Sequence, residues 1–369
     1  MNIYKKWIIL SLSICAFIMV ALSTLLYIYD PLMLYHKPYF NRPLTFKNMR
    51  VQDKFLIDNY DFNSIIIGSS MLRNTSAKEA GDKLGFKWMN LSDSDLGFNE
   101  RIVILRYAFK NKEIKNIIFS FDGYDGNRDV SKFDFIYNSN VFDDIRIYFN
   151  TKYILCALSF SKKESCIGQV GNIEISPAAW IYDTKNKHSF NNKWVLKEEK
   201  YKDILLNISS NNLEFKPNTI LNIEPSKDDI KKYILEFIKD NPNINFYLII
   251  PTYSRLSYKL NQYADRKNTN SFFRYEAILR WFILEARKYP NLKIYGFDDL
   301  DYADNVANYR DKLHYNIDMN SMQLDAIKNN THILTPENMD KYFEIMEEKI
   351  RNYDLEPFIK MAKEILDEK

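Results

Sequence analysis

The run from Trp7 to Tyr29 carries no charged residue over 23 positions. About 20 such residues cross a bilayer as a helix, so this segment constrains the chain more than any other. Lys5 and Lys6 precede it, and Trp7, Tyr27 and Tyr29 sit at its ends, where amphipathic rings favour the headgroup level. Asp30-Pro31 then stops the helix. A cleaved signal peptide calls for a shorter apolar stretch and a small-residue cleavage site, and no A-x-A follows. A lipoprotein site calls for a small residue before its cysteine, whereas Ile14 precedes Cys15. The expectation is an uncleaved anchor: residues 1–6 cytoplasmic, 7–29 transmembrane and 30–44 a linker. Lys5 and Lys6 hold the N-terminus inside, while Lys37, Arg42, Lys47 and Arg50 after the span pull the other way. There is no second long apolar run, so everything after residue 30 is expected on one side.

Composition narrows the rest. Hydrophobic residues make up 46% and charged residues 27%, enough apolar surface to bury a core and too much for a disordered tail. With 9 Gly and neither GxGxxG nor GxxxxGK[ST], the usual phosphate-cradling loops are missing. A net charge of +3 gives no case for nucleic acid, whose binders concentrate basic charge on one face. Three Cys and four His, with no CxxC or HExxH, give no metal site. Cys156 and Cys166 either pair, if the domain is exported, or stay free; spacing alone does not fix their separation. The 15% aromatic content fits either a thick core or a sugar-stacking surface.

The body of the chain alternates strand and helix. Short β-branched or aromatic runs at 63–68, 86–91, 116–121, 245–250 and 292–297 read as strands. Helical spacing falls between them, at 99–110, at 226–240 with Ser226 as N-cap and Asp229 as its box partner, and at 272–289 before Pro290. This βαβ rhythm predicts a doubly wound, mainly parallel five-stranded sheet within an α/β domain spanning 45–336. Residues 131–222 break the rhythm and read as an insertion. Residues 337–369 read as C-terminal amphipathic helices with a solvated charged face.

Two motifs carry chemistry. Gly68-Ser69-Ser70 directly follows the first strand, and ligands of open parallel sheets bind beyond the carboxyl ends of strands. A serine at the start of a helix there gains backbone donors and the helix's positive end, as a nucleophile attacking an acyl carbonyl requires. Its structural alternative is a plain helix cap. Asp311-Lys312-Leu313-His314 follows the fifth strand; an acceptor three residues before a histidine can fix its tautomer so that the other nitrogen serves as base. His36, His188 and His332 have no Asp three residues earlier and read as surface or packing residues.

That order, a serine block after strand one and D-x-x-H after the last strand, resembles the SGNH (GDSL-like) hydrolase superfamily. The text I-I-I-G-S-S-M-L-R-N, then M-N-L-S, then I-I-F-S-F-D is similar to its membrane-anchored bacterial envelope branch, which includes relatives of the teichoic-acid D-alanylation and alginate acetylation proteins. The resemblance covers roughly residues 45–130 and 245–330. It implies a flavodoxin-like SGNH fold, Ser70 as nucleophile, His314 as base, Asp311 as its orienting acceptor, and no cofactor. It also implies an acylated glycan or acyl donor as substrate, a membrane-bound acyltransferase as partner, and a catalytic domain on the periplasmic side of the inner membrane. The chain departs from the pattern at the oxyanion blocks. Where the family's second block has Gly, the nearest here is Gly97, which becomes the candidate donor. Where the third block has G-x-N-D, this chain reads Asp122-Gly123-Tyr124-Asp125-Gly126-Asn127; an ionised Asp122 cannot donate, and Asn127 donates only if its loop folds back. Two functions therefore stay open: a serine esterase or O-acyltransferase, and a non-catalytic scaffold of an envelope assembly. The distance from Ser70 to His314 separates them.

Overall fold

The computed structural model describes residues 3–39, 42–122, 128–138, 140–177, 179, 193–213, 215, 222–264 and 271–367. Helix α1 (Ile3–Tyr29) is long and apolar enough to cross a membrane. In chain order there follow β1 (Thr45–Phe46), α2 (Met49–Asn59), β2 (Ser64–Ile67), α3 (Ala77–Leu84), β3 (Trp88–Asn90), α4 (Phe98–Asn111) and β4 (Asn116–Ser120). Next come α5 (Val141–Ile145), α6 (Thr151–Leu158), α7 (Glu164–Ile167), β5 (Gln169–Val170), α8 (Glu199–Asn211), α9 (Glu224–Ile230), α10 (Glu236–Lys239), β6 (Asn245–Ile249), α11 (Arg255–Ala264), α12 (Phe272–Ala286), β7 (Leu292–Tyr295), α13 (Ile317–Asn329), α14 (Met339–Asn352) and α15 (Glu356–Asp367).

The fold is α/β. Its five-stranded sheet has the order β3-β2-β4-β6-β7, and every neighbouring pair is parallel. The five strands coincide with the five apolar runs. Burial on both faces explains their unbroken hydrophobicity: Ile65, Ile67, Ile117 and Phe119 enter one core with Phe55, Ile102 and Phe282, while Ile66 and Ile118 enter a second with Leu72, Ala80 and Leu324. The chain moves outward from β2 to β3 and then returns to β4 on the other side. The order thus reverses between β2 and β4, the kind of switch point where open α/β sheets leave a crevice at their carboxyl ends.

Two local expectations are corrected. The helix read as capped by Ser226 begins at Glu224, with Pro225 in its first turn, where the missing N–H costs nothing; Ser226 is buried and instead accepts from Arg274 Nη2 at 2.6 Å. A wide turn at Lys231–Leu235 then carries the chain into α10. Ser70 does not open a helix either. Residues 70–74 form successive turns, and α3 starts only at Ala77, capped by Ser76. Asn90 Nδ2 donates to the carbonyls of Leu72 and Thr75, each at 2.8 Å, and Asn320 Nδ2 to that of Met71 at 3.1 Å. Side chains from β3 and α13 thereby take carbonyls that a helix would have used.

Residues 30–39 pack onto the domain. Asp30 is buried and accepts the N–H groups of Leu34 and Tyr35, both at 2.9 Å, and the Tyr148 hydroxyl. The stretch read as an insertion supplies two separate pieces. The α5–α7 piece packs beside α1 and carries the Cys156–Cys166 disulfide, and β5 pairs antiparallel with β1. The α8 piece joins a core with Leu256, Leu260 and Phe358.

Candidate active site

Gly68 ends β2 where the backbone passes close to β4: a Cβ there would lie 2.9 Å from Ser120 Cβ and 3.0 Å from Leu72 Cδ1. This close approach puts Ser69 and Ser70 at the carboxyl edge of the sheet, at the switch point. The loop bearing Asp311 and His314 arrives from the far side of β7. It is closed by an antiparallel bridge between Tyr309 and Tyr315, by Arg310 N–H to His314 O at 2.8 Å, and by Ser254 Oγ donating to Lys312 O at 2.6 Å. Lys312 is drawn inward over the Tyr201 ring at 3.6 Å and pairs with Glu198. Alternating anchors on 309–315 thus leave His314 facing the sheet edge.

Ser70 Oγ lies 2.7 Å from His314 Nε2, and His314 Nδ1 lies 2.9 and 2.8 Å from the two Asp311 oxygens. A carboxylate on Nδ1 selects the tautomer with its proton there, leaving Nε2 to accept from the Ser70 hydroxyl. Asp311 also accepts the N–H groups of Leu313 and His314, each at 2.9 Å. Burial pushes the Asp311 carboxyl up, but the His314 hydrogen bond and charge and the two backbone donors outweigh it and bring it down to about 2. Asp311 is therefore a fixed charge at neutral pH. A cleft opens over these groups, lined by Ser69, Ser70, Asp122, Tyr253, Leu313 and His314 among others.

The structure brings Ser70, Asp311 and His314 together and leaves Gly97 out. Gly97 is the N-cap of α4, and its N–H donates to Glu100 Oε2 at 2.7 Å, so it is not available to an oxyanion. Asn127 lies outside the described residues, as does His188. His36 bonds to the carbonyls of Lys37 and Tyr27, and His332 packs on Phe297.

A buried network beneath the serines has no counterpart in the sequence reading. Asp122, just past β4, accepts from Ser69 Oγ, from Ser120 Oγ at 2.7 Å and from Arg101 Nη2 at 2.6 Å. Arg101 is fully buried and also donates to the carbonyls of Leu96, Ser120 and Asp122. Its charge answers that of Asp122, and all its nitrogens are spent on the ends of β4 and the loop after β3. Ser69, directly before Ser70, is therefore a donor to Asp122. No sequence signal pairs Arg101 with Asp122; only the approach of α4 to the end of β4 brings them together.

No family model matches the chain, and no curated protein matches it. Among solved structures, the chain is similar to a Streptococcus pneumonia protein provisionally described as a platelet activating factor, at 10% identity and a TM-score of 0.39, over 76% of this chain and 90% of that one. At that level the likeness bears on neither activity nor substrate.

Proposed function

We propose that the chain is a membrane-anchored serine esterase or O-acyltransferase that moves an acyl group of a cell-envelope glycan through an acyl-enzyme on Ser70. One observation carries this reading: the hydrogen-bonded series Ser70 Oγ, His314 Nε2, His314 Nδ1, Asp311 at the sheet's carboxyl edge. His314 accepts the Ser70 proton as Oγ attacks the ester carbonyl, and the imidazolium formed is stabilised by the Asp311 charge. The proton then passes to the leaving alkoxide, and the acyl group remains on Oγ. Water or a sugar hydroxyl, deprotonated by the same histidine, takes the acyl group in the second half-reaction. The Ser70 N–H, for which no acceptor lies among the described residues, is the candidate donor to a tetrahedral oxyanion.

The glycan substrate, the membrane-bound acyltransferase partner and the periplasmic placement rest on the motif resemblance. The Cys156–Cys166 disulfide supports an oxidising compartment. A second reading, a non-catalytic scaffold, draws on the commitment of Gly97 to Glu100, since losing one oxyanion donor typically costs about 10²–10³ in rate. Labelling with a serine-directed fluorophosphonate separates the two. The full chain takes the probe on Ser70, located by peptide mapping, and Ser70→Ala and His314→Ala each abolish labelling with the fold intact. Unlabelled wild-type protein would favour the scaffold.

A further inference from the structure

The strongest unexplained surface lies beside α1. The charge-free run starts at Trp7, and at 1.5 Å per residue a hydrocarbon core of about 30 Å ends near Leu26. The domain already packs on Leu22, Leu25 and Leu26, short of that boundary. The elements that pack there, α5 to α7, are therefore level with the edge of the hydrocarbon core and the headgroups. They do not present a polar exterior. Leu155 is 60% exposed, Leu158 64% and Phe160 52%; Leu155 and Leu158 stand one turn apart on α6, on the face away from buried Cys156 and Ala157. Phe160 holds a φ of +42°, unusual for a bulky residue, and its ring meets that of Tyr29 edge-on at 6.0 Å. The Tyr29 hydroxyl donates to Ser161 O at 2.7 Å, which sets the turn after α6 against the last turn of α1. Lys162 and Lys163 follow, both exposed, with Glu164 engaged by Gln169. The disulfide clips α6 to α7 and holds this protrusion in shape.

We propose that Leu155, Leu158 and Phe160 form a lipid-inserted surface continuous with α1, with Lys162 and Lys163 at the headgroup phosphates. An apolar protrusion rimmed by lysines is the pattern of an interfacial anchor. A second contact beside the span fixes the tilt of the domain, so that the Ser70 cleft is held at one height and bearing above the bilayer rather than swinging on a single helix. The inference rests on reading α1 as a membrane span, and the test keeps the two apart. The full chain is reconstituted in lipid nanodiscs and spin-labelled at native Cys15, exposed on α1. Separately, Leu158→Cys, Leu155→Cys and Phe86→Cys are labelled in a Cys15→Ser background. Collision with oxygen, which partitions into lipid, is compared with collision with a water-soluble nickel complex. Oxygen dominates at positions 15, 158 and 155, and the nickel complex dominates at Phe86, which is exposed in the turn between α3 and β3. Nickel dominance at 158 and 155 with oxygen dominance at Cys15 would overturn the surface and leave the anchor standing. Nickel dominance at Cys15 would overturn both. Protection at 158 from both reagents in native membranes, with nickel access in nanodiscs, would mean a protein covers the face and would also overturn the proposal.

Discussion

Asp311 and Asp298 are two carboxyls that burial treats oppositely. At Asp311 the donors win, and the group stays charged down to about pH 2. Its stabilisation is present above the unfolded carboxyl value of about 3.9 and fades as pH falls through the folded one. Asp311→Asn presents an amide to Nδ1, favours the wrong tautomer of His314, and lowers ester turnover on the order of 10³–10⁴-fold while Ser70 keeps its place. An unchanged rate on an acyl ester would reduce Asp311 to a loop residue. Asp298, past the end of β7, is fully enclosed. Burial pushes it up to about 7, against the pull of the Arg255 charge and of hydrogen bonds from Tyr275 at 2.9 Å and Tyr342 at 3.1 Å. Here the folded state binds the extra proton, so stability falls as pH rises from about 4 to 7, by on the order of 4 kcal/mol in full. Asp298→Asn removes that titration. The melting temperature of the wild type drops relative to the variant between pH 5 and pH 8; parallel curves would show that Asp298 ionises freely.

At the scale of elements, the buried Arg101–Asp122 ion pair ties α4 to the end of β4, and Ser69 Oγ, donating to Asp122, brings in the end of β2. Removing one partner of such a pair typically costs about 3–5 kcal/mol, because the other charge is left uncompensated. Arg101→Met is expected to cost that much in urea unfolding, and to loosen Ser69 and with it Ser70. A cost near or below 1 kcal/mol would mean that water reaches Asp122. The five strands were legible because strands buried on both faces must be apolar throughout, and runs such as Ile65-Ile66-Ile67 have few other uses. Ser70, Asp311 and His314 were legible because their types and order are chemically specific, and the fold brings them within hydrogen-bond reach. Arg101 was not. It sits among apolar residues of an amphipathic helix, where a long charged side chain normally runs out to solvent, and only the three-dimensional approach of α4 to the end of β4 turns it inward. Gly97 was misread for the same reason: its neighbour Glu100 turns back to cap α4 and takes the N–H. The turns after Ser70 depended on Asn90 and Asn320, one of them 250 residues away along the chain.

For the whole molecule the open quantity is sidedness. Helix α1 meets the length and apolarity of a span, and its exposed face from Ile3 to Val20 leaves large apolar side chains with no protein cover. At its other end, Leu26, Tyr29 and Asp30 are buried in the domain. In the topology proposed above, Lys5 and Lys6 would keep the N-terminus on the cytoplasmic side by the positive-inside tendency. On the other side, the basic residues that could compete are partly spent: Arg42 donates to the carbonyls of Tyr29 and Asp30, and Arg50 pairs with Asp93 and Glu100. The Cys156–Cys166 pair is stable where disulfides persist, which is outside the cytosol. The expected arrangement is a single pass with everything from residue 31 outward exported. Fusing the C-terminus to a reporter active only in the periplasm, and in parallel to one active only in the cytosol, gives a strong signal from the first and none from the second. The reverse pattern would turn the molecule over, put the Ser70 cleft on the cytoplasmic face, and remove the envelope glycan as its substrate while leaving the serine chemistry untouched.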